Sequence, residues 1–66
     1  MYIAIKEKFT DDINQREIAE KVGITEFTLS RIINEKQATQ KTTAYCIAKA
    51  IDSNAEIKDY FVRKGE

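Results

Sequence analysis

A single internal glycine constrains the fold of this chain more than any other residue. Gly23-Ile24-Thr25 separates two stretches whose apolar residues recur at helical spacing, and the chain contains no proline. A tight turn between helices that cross at nearly right angles needs a backbone that tolerates positive φ, which glycine does. Such a crossing also needs a small residue where the helices touch, and Ala19 lies one turn before Gly23. Residues 15–34 are therefore predicted to form two helices joined by a three-residue turn.

Capping signals indicate where these two helices begin. Asn14 and Glu17 have the spacing of a capping box, with Asn14 as the N-cap and Glu17 reaching back to it. Gly23 is expected to end this helix in the left-handed conformation. Thr25 can cap the next helix, and Glu26 places a negative charge in its first turn, which the helix dipole favours. Four apolar residues are predicted to pack the two helices together: Val22, Ile24, Leu29 and Ile32.

The N-terminal and central segments are also predicted to be mostly helical. Three apolar residues indicate a short first helix: Tyr2, Ile5 and Phe9. Residues 2–5 could instead begin as an extended strand, and residues 10–13 are predicted to be a turn. A fourth helix is expected over residues 40–51. Its apolar face would consist of Thr43, Ala44, Ile47, Ala48 and Ile51.

A second capping-box pattern predicts one more helix near the C-terminus. It lies at Ser53-Asn54-Ala55-Glu56, and apolar residues follow it at helical spacing: Ile57, Tyr60 and Phe61. The expected architecture is therefore an all-α, compact bundle of about five short helices in one domain spanning residues 1–66. Residues 63–66 are expected to be a frayed tail.

The composition fits a small domain and argues against several functional classes. With 66 residues the chain is long enough for one domain, and its core is thin. The single cysteine excludes an internal disulfide framework, and the absence of histidine argues against a zinc site and removes the commonest general base. No apolar run approaches the ~20 residues of a membrane span, and there is no signal-peptide pattern. We therefore expect no catalysis, metal, cofactor or membrane association, and a cytoplasmic location.

The third predicted helix, which begins after Thr25, has an exposed face whose side chains are suited to binding another molecule. At about 100° per residue, a helical wheel groups four residues on the buried side: Leu29, Thr25, Ile33 and Ile32. The opposite side of the helix carries four residues at spacing i, i+3, i+4 and i+7: Phe27, Ser30, Arg31 and Asn34. Arginine can donate two hydrogen bonds to a guanine edge, and an apolar side chain can touch a thymine methyl. Phe27 is therefore either part of a binding face or exposed apolar surface that folds back onto the scaffold.

The charges are unevenly distributed although the net charge is zero. Overall, 11 basic residues balance 11 acidic ones. Within residues 27–50, however, Glu35 is the one acidic residue beside four basic ones: Arg31, Lys36, Lys41 and Lys49. The acidic residues gather in residues 7–20 and 52–66. A basic middle is what docking by one face on phosphates requires, although a small charge cluster is also often only a solvated face.

Taken together, these features resemble the lambda-repressor-like (Cro/CI-type) helix-turn-helix family of bacterial and phage regulators. The resemblance is carried by Gln15, Ile18-Ala19, Val22-Gly23-Ile24, Leu29-Ser30-Arg31-Ile32 and Asn34. Ile47-Ala48-Lys49-Ala50-Ile51 is similar to the fourth helix of that family, so the likeness covers residues 3–62. It implies a helix-turn-helix at about residues 15–34. The second helix of this motif, which is the third helix of the chain, enters the major groove. The implied scaffold is Ile18, Ala19, Val22, Gly23, Ile24, Leu29 and Ile32.

The same resemblance implies binding roles for individual residues. The positions that read base edges are occupied by Glu26, Phe27, Ser30 and Arg31. The positions that contact phosphates are occupied by Gln15, Thr25, Thr28, Asn34, Lys36, Lys41 and Thr42. Gln15 is also expected to brace the recognition helix. Helix N-termini and short hydroxyl or amide groups are well suited to phosphate oxygens.

Three acidic residues depart from the family pattern. Glu26 stands where members often carry glutamine or another neutral polar residue. It either accepts a hydrogen bond from a cytosine amino group or only supports the helix N-terminus. Glu35 and Asp52 stand where glycine commonly ends the third and fourth helices, so these two helix ends lack the usual residue.

Two apolar features complete the sequence predictions. Cys46 lies on the flank of the apolar face of the fourth helix and is predicted to be a small buried thiol. Tyr60, Phe61 and Val62 either cap the core or form a dimer seam.

The sequence therefore predicts a domain that binds double-stranded DNA sequence-specifically and regulates transcription. The expected state is a homodimer, in solution or only on DNA, on a two-fold-related operator with half-sites about one helical turn apart. A small Cro-like repressor or accessory regulator of a phage, plasmid or mobile element, with no small-molecule effector, fits this description. The alternative is a protein-interaction module of the same fold, such as an antitoxin or anti-repressor. The zero net charge, Glu26 and Phe27 favour that alternative.

Overall fold

The structure, a computed structural model, describes residues 1–10 and 12–64. Its elements in chain order are β1 (Tyr2–Ala4), a 3-10 helix (Lys6–Lys8), α1 (Gln15–Val22), α2 (Glu26–Ile33), α3 (Lys41–Ile51), α4 (Ile57–Tyr60) and β2 (Phe61–Arg63). The third and fourth helices of the sequence prediction are α2 and α3. The predicted turn over residues 10–13 includes Asp11, which lies outside the described residues. Within it, the Ile13 N–H donates to the Thr10 carbonyl at 3.1 Å.

The pairing of β1 with β2 shows that the prediction of an all-α bundle of about five helices is wrong. The two strands run antiparallel, with Ile3 opposite Val62. On its other side β1 is bridged to Thr39. The Tyr2 N–H donates to the Thr39 carbonyl at 2.7 Å, and the Thr39 N–H donates to the Tyr2 carbonyl at 2.9 Å. The described residues therefore form a mixed α/β fold of four α-helices and a two-stranded sheet.

Part of the predicted first helix and the end of the predicted fifth helix are strand. The alternative of an extended start is confirmed for residues 2–4, and the first predicted helix is reduced to the single 3-10 turn at Lys6–Lys8. The fifth helix ends at Tyr60, and Phe61 begins β2. Aromatic and β-branched residues favour strands when a partner strand is available to pack and pair with them. Here the partner lies at the opposite end of the chain, where local periodicity gives no sign of it.

The capping box of the last helix lies three residues later than predicted. Glu56, rather than Ser53, is the N-cap of α4, and Asp59 is its partner. The Glu56 N–H donates to Asp59 Oδ2 at 2.9 Å. Before this helix, the Asn54 N–H donates to Asp52 Oδ1 at 3.0 Å. Asp52 thus supports a turn, and the helix starts after it.

The helices on either side of the predicted turn begin where the sequence indicates. Asn14 Oδ1 accepts the Glu17 N–H at 3.1 Å at the start of α1. Thr25 Oγ1 accepts the Thr28 N–H at 3.0 Å at the start of α2. The predicted return bond from the Glu17 side chain to Asn14 is absent among the described residues, and the Glu17 carboxylate lies 3.7 Å from the ammonium group of Lys21. Both predicted N-caps are confirmed.

Gly23 ends α1 in the left-handed conformation, with φ of 90°. The Ala19 carbonyl accepts both the Gly23 N–H at 2.8 Å and the Ile24 N–H at 3.0 Å. An added Cβ at Gly23 meets no atom within 4 Å, so the backbone torsion alone makes this position a glycine position. The predicted turn between the two helices is confirmed.

The core lies where α1 packs against both α2 and α3 and the sheet packs against α2. Its buried members are Ala4, Ile18, Ala19, Leu29, Ile32, Ile33, Ala44, Ile47 and Phe61. Val22 and Ile24 are half-buried and pack against this cluster. All of the side chains predicted to hold the two helices together therefore contribute to the core or its border.

The C-terminal residues belong to the core and the sheet. Phe61 is only 1% exposed, and Phe9 packs against it edge-on with ring centroids 5.7 Å apart. Tyr60 is half-buried against the same Phe9 ring, so capping of the core, the first of the two alternatives, is confirmed for Phe61 and Tyr60. The predicted frayed tail at 63–66 is wrong for Arg63, which lies in β2, and for Lys64, whose N–H donates to the Met1 carbonyl at 2.9 Å. Residues 65 and 66 lie outside the described residues.

The two helix ends without glycine are built differently. Glu35, just after α2, has a left-handed φ of 63°. The Lys36 N–H then donates to the Arg31 carbonyl at 2.9 Å, which turns the chain back along α2. Asp52, at the end of α3, has an extended φ of −148° and therefore does not need a glycine. Only the first of these positions carries the strain that glycine relieves elsewhere.

Candidate nucleic-acid interface

The outward face of α2 carries the predicted base-reading residues. Leu29, Ile32 and Ile33 are buried, which turns the opposite side of the helix toward solvent. Phe27 is 71% exposed, and Arg31 is exposed one turn later. The predicted orientation of the helix is therefore confirmed, and Phe27 does not fold back onto the scaffold. The assignment of Thr25 to the buried side is wrong: it is exposed, because as N-cap it precedes the helix and its hydroxyl bonds the first turn.

Phe27, Arg31 and Gln37 form one connected group on this face. The guanidinium carbon of Arg31 lies 5.8 Å from the centre of the Phe27 ring, within the range of a cation–π contact. Arg31 Nε donates to Gln37 Oε1 at 3.2 Å. Together these contacts limit how far the Arg31 side chain can swing.

Gln37 is a site residue that the sequence pattern did not reveal. It reaches Arg31 because the left-handed turn at Glu35 brings the chain back toward the last turn of α2. The sequence did contain one indication of this contact. Glu35 stands where a left-handed residue ends the helix, and a chain that ends a helix in this way places its next residues beside the last helical turn. Helical periodicity ends at the cap and therefore gave no reason to single out Gln37.

Ser30 and Asn34 are bonded to each other at the end of α2. Asn34 Nδ2 donates to the Ser30 carbonyl at 2.8 Å and lies 3.3 Å from Ser30 Oγ. The side-chain amide nitrogen has two N–H donors, and both are used on Ser30 here, while a phosphate oxygen can only accept. A phosphate contact from Asn34 therefore requires that one of its bonds to Ser30 be exchanged.

The start of α2 presents a hydroxyl and a carboxylate. Thr25 Oγ1 donates to Thr28 Oγ1 at 2.9 Å, which leaves the Thr28 hydroxyl hydrogen for another acceptor such as a phosphate. Glu26 is exposed in the first helical turn, where the dipole favours its charge. This position is compatible with either of the roles predicted for Glu26.

The start of α3 supplies the remaining predicted phosphate-binding groups. Gln40 is the N-cap, but within the described residues no side chain caps the first-turn amides of this helix. Lys41 and Thr42 are exposed there, and the first turn contains no acidic residue. Free helical amides beside a lysine attract anions. Gln15, the first residue of α1, is half-buried, and Lys36 is exposed after α2.

The four basic residues within residues 27–50 have different surroundings. Lys49 Nζ donates to the Ser53 carbonyl at 3.1 Å and lies 5.5 Å from the centre of the Tyr45 ring. These contacts hold its ammonium group at the C-terminal end of α3. The two ion pairs found among the described residues, Lys21 with Glu17 and Lys58 with Glu56, both lie outside residues 27–50. The basic charges of Arg31, Lys36 and Lys41 are therefore not neutralised by an ion pair in the part of the chain that the structure describes.

Cys46 is exposed, so its prediction as a buried thiol is wrong. The buried stripe of α3 consists of Ala44, Ile47 and Ala48. Cys46 precedes Ile47 by one residue and is therefore rotated about 100° away from it. That rotation carries the thiol past the edge of the buried stripe.

No protein-family model matches the sequence, and no curated protein and no solved structure matches it. The likeness to lambda-repressor-like regulators therefore stays a prediction that depends on the motif residues. Among the described residues, no helix has both the length and the apolar character needed to cross a bilayer.

Proposed function

We propose that this chain is a sequence-specific double-stranded DNA-binding regulator of transcription that enters the major groove with α2. The observation that carries this proposal is the group formed by the exposed Phe27 and Arg31 and the half-buried Gln37. It presents a guanidinium fixed at Nε beside an aromatic ring, on a helix whose other face is buried. Guanidinium groups and apolar side chains are what guanine edges and thymine methyls accept in the major groove.

Phosphate contacts are proposed for the groups around this helix. Lys41 and the uncapped amides at the start of α3 offer charge and donors, and Thr28 offers a hydroxyl hydrogen. Lys36 adds a further exposed cation after α2. Contacts of this kind position the protein on DNA of any sequence, so base selection is left to Phe27 and Arg31.

The regulator is proposed to act as a homodimer. One α2 helix reads only a few base pairs, and two copies on half-sites about one helical turn apart double the number of contacted bases. Two-fold-related half-sites in the selected DNA would support this arrangement.

A second candidate function is a protein-interaction module, such as an antitoxin or anti-repressor. It is favoured by the 71% exposure of Phe27 together with a net charge of zero. A large exposed aromatic is a common anchor at protein interfaces, and a neutral chain gains little general attraction to DNA.

Selection of binding sites from random duplex DNA, followed by affinity measurements over a range of salt, tests the proposal. On the selected site we expect Arg31→Ala to cost about 1–3 kcal/mol and to relax the preference at one base pair per half-site. Lys41→Ala should weaken binding to all sequences equally and reduce the salt slope by about 0.9 for each phosphate that is no longer neutralised. Lys58→Ala is the matched control, because this lysine lies on α4 with a side chain that is 79% exposed.

Two outcomes contradict the proposal. One is failure of the selection to enrich any sequence, combined with affinity that does not change with salt. The other is an Arg31→Ala variant that folds and binds the selected site as tightly as Lys58→Ala does. The first result favours the protein-interaction module, and the second removes Arg31 from the base-reading residues.

A further inference from the structure

The contact between Phe27 and Arg31 constrains which bases the two side chains can reach together. They lie one helical turn apart, and the guanidinium carbon is 5.8 Å from the centre of the ring. The bond from Nε to Gln37 uses the donor nearest the side-chain stem. Four N–H donors on the two Nη atoms remain at the tip of the side chain, in the fork that matches O6 and N7 of a guanine.

Because the ring and the guanidinium are in contact, their targets have to be neighbours as well. Successive base pairs in B-DNA are separated by about 3.4 Å along each strand. A guanidinium bonded to a guanine edge therefore brings the Phe27 ring within reach of the adjoining base pair. The feature in the major groove that an aromatic ring can contact without losing hydrogen bonds is the C5-methyl group of thymine.

We propose that Phe27 and Arg31 act as one reader of a 5-methylpyrimidine on the base pair adjacent to a guanine, and that contact with the C5-methyl group strengthens binding. This inference depends on the proposed DNA-binding function and specifies the base step that it recognises. Thymine supplies the methyl group in ordinary DNA, and 5-methylcytosine supplies the same group at the same place. The reader therefore distinguishes thymine from uracil and 5-methylcytosine from cytosine.

Replacing the thymine of the selected site by deoxyuridine tests this directly, because only the methyl group is removed. We expect the affinity of the wild-type protein to fall about fourfold for each methyl group removed, the effect of burying one group of that size. In Phe27→Ala the thymine and deoxyuridine duplexes should bind equally, and this variant should fold because Phe27 is exposed. A deoxyuridine placed in the flanking sequence is the control and should change nothing.

A second pair of duplexes tests the chemical class rather than the particular base. At the same position, a 5-methylcytosine duplex should bind the wild-type protein about fourfold more tightly than its cytosine counterpart. Phe27→Ala should again remove the difference.

Several results overturn the inference. Selected sites without a thymine adjacent to a guanine, or equal affinity for thymine and deoxyuridine, would show that the methyl group is not read while leaving DNA binding intact. A methyl effect that persists in Phe27→Ala would assign the methyl contact to another residue. Absence of binding to every duplex would instead remove the proposed function and the inference with it.

Discussion

Truncation of the Phe61 side chain tests whether β2 belongs to the core or is only an end of the chain. Phe61 is 1% exposed and packs edge-on against Phe9. Replacing a buried phenylalanine with alanine costs about 3–5 kcal/mol. A domain of this length has a total stability of about 3–10 kcal/mol, so Phe61→Ala should lose much of its folded population. Val62→Ala changes the next residue of the same strand, which is 51% exposed, and should cost only about 0.5 kcal/mol.

Urea unfolding followed by circular dichroism measures both effects. Phe61→Leu keeps a large apolar side chain, so it provides a folded variant whose loss of stability can be measured even where Phe61→Ala is unfolded. The reasoning is refuted if Phe61→Ala unfolds at the same urea concentration as Val62→Ala. That result would show that β2 does not belong to the core. It would also count against the mixed α/β fold described above.

Three further predictions concern single positions. Gly23→Ala should cost about 1–2 kcal/mol from the left-handed backbone alone, and Gly23→Asn should cost less; equal losses in thermal unfolding would contradict the torsional explanation. Glu35→Gly should be about 1–2 kcal/mol more stable than Glu35→Ala, because both remove the 3.2 Å bond from the Lys6 N–H to the carboxylate but only glycine relieves the positive φ. The Cys46 thiol should be alkylated in the folded protein within a few-fold of its rate in urea; strong protection would return it to the core.

The parts of the fold that local chemistry determines could be predicted from the sequence. A side-chain cap acts within three residues, so Asn14 and Thr25 identified the starts of α1 and α2. The left-handed stop at Gly23 is likewise a property of one residue. The orientation of α2 followed because its apolar residues form one clear stripe.

The missed features depend on residues far apart in the sequence. Tyr2–Ala4 has apolar residues compatible with a strand or a helix, and the choice is made by hydrogen bonds to Phe61–Arg63 at the other end of the chain. Gln37 enters the site through a reversal of the chain at Glu35, which no periodic pattern describes. Contacts between residues distant in the sequence therefore determine both the formation of the sheet and the presence of Gln37 in the candidate site.

The most direct test of the central claim, that the exposed face of α2 meets DNA, is an NMR titration of the ¹⁵N-labelled protein with a duplex that carries one half-site of the selected sequence. The amide resonances of residues 25–31, of Gln37 and of Lys41–Thr42 should shift most as DNA is added. Resonances of β1 and β2 should change little in a monomeric complex on a single half-site. Shifts confined to the sheet, or an α2 whose resonances stay unchanged at saturating DNA, would contradict the account.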